Sequence, residues 1–445
     1  MYAVYSVLIV LFFVVTSPYL LYQAIRYRKY VRSLRQRLGY LPLSFNLDGD
    51  DSIWIHAVSV GEVLTARALL PELRERYPRL RIFLSTTTMT GQQVARNNLQ
   101  YVDEVFYFPF DLRFIVRRTL RLVRPKLFIV METEIWPNLL RACREAGVKT
   151  VLVNGRISSR SYPRYRMARG FFRVVLSDID RFCMQSAESA RRIVEIGADP
   201  ARVLVTGSLK FDSLDIPGAA GAAADRGRNR VLRYFRIAPE RPVVMAASTL
   251  KGEEEPVFEA FQRIRANRSN ALLIIAPRKP ERFDEVERIA RRGGWNVARR
   301  SELRVDAEPR NDVIVLDTIG ELAQLYQIGT VVFVGGSLVD AGGHNILEPA
   351  VFGKPIVFGP HMENFAEIAQ AFLEQGAAVQ VKSGRELETA LLELLGDPVR
   401  RASLGAAARA LVEANRGARA KSLGAIAQLM PSETQGNVRP FRLVQ

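Results

Sequence analysis

The feature that most constrains this chain is a regular alternation of short apolar runs, rich in β-branched residues, with helical stretches of about a dozen residues. In the first half the runs are SIWIHAV (52–58), RIFLSTT (81–87), VFYFPF (105–110), KLFIVME (126–132), KTVLVNG (149–155), RFCMQS (181–186) and RVLVTGS (202–208). In the second half they are VVMAAST (243–249), ALLIIAP (271–277), VIVLDT (313–318), VVFVGG (331–336) and KPIVFGP (354–360). Strands separated by helices make βαβ units and a parallel sheet. A helix is expected from about Gly61 to Tyr77, and the chain from about Arg385 onward reads as helical and Ala-rich. The expected architecture is α/β, with two doubly wound Rossmann-like domains facing a cleft. The boundaries read as 28–212 for the first domain, 213–240 for a linker of small residues and scattered arginines, 241–425 for the second domain and 426–445 for a tail. Ligands in such folds bind outside the carboxyl ends of the strands.

Residues 3–25 are almost wholly apolar and carry no charge, a length that can span a bilayer. A basic run follows in Arg26, Arg28, Lys29, Arg32, Arg35 and Arg37. Residues 1–27 therefore read as a membrane anchor, spanning or, given Pro18, lying in one leaflet. The remainder is expected on the cytoplasmic side, with the basic collar on anionic lipids. The net charge of +17 favours anionic partners. Nucleic acid is the bland inference from charge, but no aromatic-plus-basic strand motif or reading helix accompanies it. Cys143 and Cys183 form no disulfide framework, and His56, His344 and His361 are widely separated, so no metal site is expected.

The stretches that could carry chemistry all follow strands. Residues 331–349, VVFVGGSLVDAGGHNILEP, pass from a strand through a glycine loop to a helix expected to open at Asn345, with Glu348 three residues on. Glycines allow close approach and a helix start offers free N–H groups, so this is a place to hold an anion, or simply a well-turned connection. Ser59-Val60-Gly61-Glu62 places Glu62 in a first turn, where an acid either compensates the helix dipole or serves as a general base kept ionised by that dipole. Glu132-Thr133-Glu134 sets two carboxylates one residue apart at a strand end, and Lys210 lies near the domain crossover. Ser248-Thr249 with Lys251-Gly252-Glu253, Pro277-Arg278-Lys279-Pro280 and Asp317-Thr318-Ile319-Gly320 follow further strands. Cations held between two prolines suit an anion clamp, so the second domain is expected to hold a nucleotide, with Arg278 and the helix start at Asn345 on its phosphate.

Taken in order, VGEVLTA, METEIWPN, NGRISSRS, VTGSLKFD, ASTLKGEEE, PRKPERF, DTIGEL and GGSLVDAGGHNILEPA resemble the Kdo transferases of Gram-negative bacteria, from the apolar N-terminus to about residue 365. That family transfers 3-deoxy-D-manno-octulosonic acid (Kdo) from CMP-Kdo to a lipid A precursor, lipid IVA. The resemblance implies a GT-B fold with the acceptor in the first domain and the donor in the second, and an inverting reaction. No cofactor is expected, and no metal is needed if the cations replace it. It also implies Glu62 as the base, with Glu132 and Lys210 supporting the transition state. It implies CMP contacts at Pro277, Arg278, Thr318, Ile319, Gly320, Asn345, Ile346, Leu347 and Glu348. The chain departs from the family's usual pattern at Ser208, commonly Asn, and at Lys279, commonly His. Two rivals are a GT-B enzyme using a UDP-sugar and a non-catalytic, membrane-tethered binder of anionic glycolipid. An enzyme needs the Glu62 carboxylate, and a binder should tolerate Glu62→Gln.

Overall fold

The computed structural model describes residues 2–27, 31–96, 100–212, 237–238, 240–303 and 310–430. The chain divides into two compact units, Met1–Ser213 with Arg416–Gln445, and Leu214–Asn415.

The first unit carries strands β1 (Ser52–His56), β2 (Arg81–Thr86), β3 (Glu104–Tyr107), β4 (Pro125–Met131), β5 (Lys149–Gly155), β6 (Arg181–Met184) and β7 (Val203–Val205). They form one parallel sheet in the order β3-β2-β1-β4-β5-β6-β7. Successive strand side chains point to opposite faces. Ile53 and Ile55 therefore join Ile82, Leu84, Leu127 and Ile129 on one side, and Trp54 joins Phe83, Phe106 and Phe128 on the other. Burial on both faces is what makes these strands continuous apolar runs. His56 is fully buried and stacked on Phe108 at 3.7 Å, and burial lowers its pKa to about 3, so it is a neutral core residue.

The second unit repeats the plan with β8 (Val243–Thr249), β9 (Leu272–Pro277), β10 (Val297–Arg299), β11 (Val313–Val315), β12 (Val331–Val334), β13 (Ile356–Phe358) and β14 (Val379–Gln380). Its parallel order is β10-β11-β9-β8-β12-β13-β14. In each unit the order reverses between two central neighbours, β1 and β4 in the first, β8 and β12 in the second. The loops leaving those strands flank the crevice at which α/β sheets bind ligands.

Several expectations need correction. β10 and β14 are edge strands of three and two residues that lack an apolar run, and the sequence pattern misses both. The helix expected over 61–77 is two helices, Val60–Ala66 and Leu70–Arg76, with Pro71 in the first turn of the second. The second domain does not run to 425. The helix Ala418–Leu429 packs on the first unit, burying Leu423 and Ile426 in the core that holds Ile53 and Leu84. Asp212 fixes its start by accepting the N–H groups of Gly417 (2.8 Å) and Arg419 (2.6 Å). The linker expected at 213–240 lies almost wholly outside the described residues, as does most of the tail.

Tyr2–Tyr27 is one helix with Pro18 inside it. Among the described residues no helix is long and apolar enough to cross a membrane. The helix lies on the first unit through Tyr5, which donates to Asp111 (2.9 Å), and Ser6, which bonds Asn138 (3.1 Å). Its other face exposes Val7, Leu8, Leu11, Phe12 and Val15.

Candidate active site

In the first unit the turn after β1 leads into the helix Val60–Ala66, which carries Glu62 in its first turn. Glu62 is 8% exposed. Its carboxylate accepts the Val58 N–H (2.8 Å) and the Ser59 hydroxyl (3.1 Å). The helix start was expected to hold this acid ionised, but burial dominates. It raises the pKa to about 7, against those two hydrogen bonds and with the nearby charges of Glu132 and Glu134 adding to it. A carboxyl poised there is well matched to accept a proton near neutral pH.

Glu132 follows β4 in left-handed backbone (φ +55°), its N–H bonded to Val153 O (2.9 Å). Such a conformation is costly for a residue with a Cβ and marks a turn held by its surroundings. Glu134 accepts the Trp136 indole N–H (3.0 Å), and burial pushes its carboxyl up. Lys210 lies in the short helix Leu209–Asp212, which packs against the helix carrying Glu62. The fully buried Asn154, also left-handed (φ +58°), anchors that helix by accepting the Leu209 N–H (3.0 Å). The three predicted catalytic residues thus lie in one unit, with Glu132 close enough for its charge to act on Glu62 and Lys210 on a helix packed against that of Glu62. Glu134 and Asn154 complete the arrangement, and the clue to Asn154 in the sequence is only an Asn-Gly pair at a strand end.

In the second unit Pro277 closes β9, and the Arg278 N–H bonds Thr249 O (2.9 Å). The Arg278 charge acts on both His344 and Glu348. Burial, with Arg278 adding to it, lowers the His344 pKa to about 4. Burial pushes the Glu348 carboxyl up, opposed by Asn345 and Arg278. The helix expected to open at Asn345 begins at Leu347. Asn345, one residue before the cap position Ile346, accepts the Leu347 N–H (3.1 Å) and donates to Glu348 (3.1 Å). Ile346 and Leu347 are fully buried, so their side chains belong to the core. Thr318 donates to Glu321 (2.6 Å), which also binds Arg300, while Gly320 takes φ +92° and Ile319 is 85% exposed beside it.

The glycine loop after β12 does hold an anion, but it belongs to the chain. The fully buried Glu253 accepts the N–H groups of Gly336 (2.7 Å), Ser337 (3.0 Å) and Leu338 (2.9 Å). Those three N–H groups of the loop are therefore taken by the chain itself. Cys143 and Cys183 are free and buried. The fold also brings His361 within 3.9 Å of Asp340 and 3.8 Å of Glu363 on the surface, a proximity that the spacing of the histidines does not show.

Residues 32–213 match the family described as 3-deoxy-D-manno-octulosonic-acid transferase (kdotransferase), and residues 237–411 match glycosyl transferases group 1. The chain is 35% identical over 393 residues to the 3-deoxy-D-manno-octulosonic acid transferase of Haemophilus influenzae, covering 88% of this chain and 90% of that protein. It is 35% identical over 386 residues to the Bordetella pertussis transferase of the same name, covering 84% and 86%. Among solved structures, a putative UDP-N-acetylglucosamine 2-epimerase from Listeria monocytogenes matches with TM-score 0.56 at 14% identity, over 87% of this chain and 99% of that one. That likeness concerns the fold alone. With two parallel α/β units of GT-B type, and relatives alike over nearly their whole length, the chain belongs to the Kdo transferase family and is a glycosyltransferase.

Proposed function

We propose that this glycosyltransferase moves Kdo from CMP-Kdo to a lipid A precursor, lipid IVA, with inversion at the anomeric carbon and Glu62 as general base. The observation that carries the reading is Glu62 itself, nearly buried, oriented by Val58 and Ser59, and poised at about 7 beside two further carboxylates. The acceptor hydroxyl gives its proton to Glu62 as its oxygen attacks the anomeric carbon. The bond from that carbon to the CMP phosphate oxygen breaks, and CMP leaves with the electron pair. Arg278 of the second unit meets the negative charge of the departing phosphate, a role for a fixed charge that needs no reorganisation during the reaction. Lys210 of the first unit is assigned the support of the transition state that the resemblance implies. Glu348 and Asn345 would hold the nucleotide, in keeping with their place beside Arg278.

The acceptor is a phosphorylated glycolipid, which the net charge of +17 suits. The exposed apolar face of Tyr2–Tyr27 supports attachment to an anionic inner membrane in the plane of one leaflet, with the catalytic units on its cytoplasmic side.

The test is CMP release from CMP-Kdo, with and without a tetraacyl lipid A precursor in detergent, with mass spectrometry of the lipid. Acceptor-dependent release and a lipid heavier by Kdo are expected from the wild type, and loss of turnover by orders of magnitude with CMP binding kept from Glu62→Gln. An intact donor left unconsumed would overturn the reading in favour of another nucleotide sugar. Full turnover in Glu62→Gln would remove Glu62 from the mechanism.

A further inference from the structure

A Gly-Glu pair stands at the equivalent place in each unit, Gly61-Glu62 after β1 and Gly252-Glu253 after β8, beside the point where strand order reverses. The two carboxylates are bonded differently. Glu62 accepts two hydrogen bonds, both from its own turn, and retains lone pairs for a reacting hydroxyl. Glu253 accepts four. One oxygen takes Leu250 N–H (2.9 Å) and Gly336 N–H (2.7 Å), and the other takes Ser337 N–H (3.0 Å) and Leu338 N–H (2.9 Å). A carboxylate has about four lone-pair sites, so Glu253 has none left for a substrate.

What Glu253 does instead follows from where its partners lead. Three of the four N–H groups belong to the loop after β12 and one to the loop after β8, so the carboxylate ties two neighbouring strand ends together. Ser337 extends the tie, its hydroxyl accepting the Gly359 N–H (2.8 Å) and its carbonyl the His361 N–H (3.0 Å). Gly336 O accepts the Gly343 N–H (2.8 Å), folding the loop back to the residue before His344. The fit leaves no slack: a Cβ on Gly335 would lie 2.9 Å from the Glu253 carboxylate and 2.8 Å from Ser248 O.

We propose that Glu253 is a positioning residue for the nucleotide-sugar site. It holds the loop 335–345 in the shape that sets His344, Asn345 and Glu348 beside Arg278, and does so without touching the donor. This rests on the reading of the second unit as the donor unit. The donor then meets a loop already closed on an internal anion, so less ordering accompanies binding.

The experiment uses the full chain in detergent and compares wild type with Glu253→Gln and Glu253→Ala. Gln keeps the shape but turns an NH2 group toward N–H donors. The expected result for Gln is a donor KM raised at least tenfold, with the acceptor KM within twofold of wild type. Amide exchange over 336–345 should quicken at least a hundredfold, with the first unit unchanged. In Glu253→Ala, added formate should restore the donor KM toward wild type, because the vacated N–H groups can donate to a small carboxylate. A merely structural role would raise both KM values together and show no formate effect. A wild-type donor KM in folded Glu253→Gln, or parallel rises in both KM values, would overturn the proposal. If Glu253→Ala does not fold, the Gln variant decides alone. A wild type that leaves CMP-Kdo unconsumed fails the functional reading. An active wild type with an unaffected Glu253→Gln fails only this inference.

Discussion

Glu62→Gln should do two things at once, abolish turnover and make the protein more stable at alkaline pH. Burial raises the Glu62 pKa from the ordinary 4.5 to about 7. The folded protein therefore binds the Glu62 proton more tightly than the unfolded chain. The associated stability is fully present below pH 4.5 and is lost as pH rises to about 7. Taking the difference between 4.5 and about 7, ionised Glu62 costs at most about 3 kcal/mol at pH 8. Gln cannot ionise, and its carbonyl can still accept the Val58 N–H while its NH2 donates to the Ser59 hydroxyl. At roughly 2–4 °C per kcal/mol for a unit of this size, Tm of the variant at pH 8 should exceed wild type by up to about 6–12 °C. At pH 4.5 the two should nearly coincide. The assay is calorimetry or dye-monitored melting across pH 4.5–8.5, beside kcat/KM of the wild type, whose acid limb should bend near pH 7. A Tm difference that does not change with pH, or an acid limb below pH 5, would refute the reasoning. Either result would mean that Glu62 is solvated and ordinary.

Glu132→Gln with Glu134→Gln removes two charges that add to the rise at Glu62, so the acid limb of kcat/KM should move to lower pH in that double variant. Asn154→Gly should cost about 1–2 kcal/mol from the lost bond to Leu209, and Asn154→Ala more, because Ala also resists φ +58°; urea unfolding of the two variants separates the contributions. Arg282→Met strands the fully buried Glu254, its ion-pair partner at 3.0 Å, and should destabilise the second unit by about 3–5 kcal/mol, measured by the same method. Asp212→Ala uncaps the helix Ala418–Leu429 and should speed amide exchange in that helix while costing about 1 kcal/mol.

Much of the architecture was legible because parallel strands are buried on both faces. Ile53, Trp54 and Ile55 must all be apolar, and such runs stand out between amphipathic helices. The edge strands β10 and β14 escaped because their few residues need no continuous apolar run. The ordered motifs also pointed to Glu62, Glu132, Lys210 and Arg278 as candidates, since ligands in this fold bind where strands end.

Which carboxylate has its lone pairs filled by backbone N–H groups was not legible in the local pattern. Glu62 and Glu253 sit in the same Gly-Glu pair after equivalent strands, and local sequence gives both the same helix-start environment. Tertiary structure separates them by bringing three N–H groups of the β12 loop onto Glu253 and the charges of Glu132 and Glu134 near Glu62. The membership of Ala418–Leu429 in the first unit was decided in the same way, by Asp212 some two hundred residues earlier. By itself the sequence determined the apolar central strands, their burial and the strand ends that carry the candidate residues, because these follow from short-range pattern. Hydrogen-bond saturation, desolvation and the return of the last helix depend on groups far apart in the chain, and only the folded structure places those together.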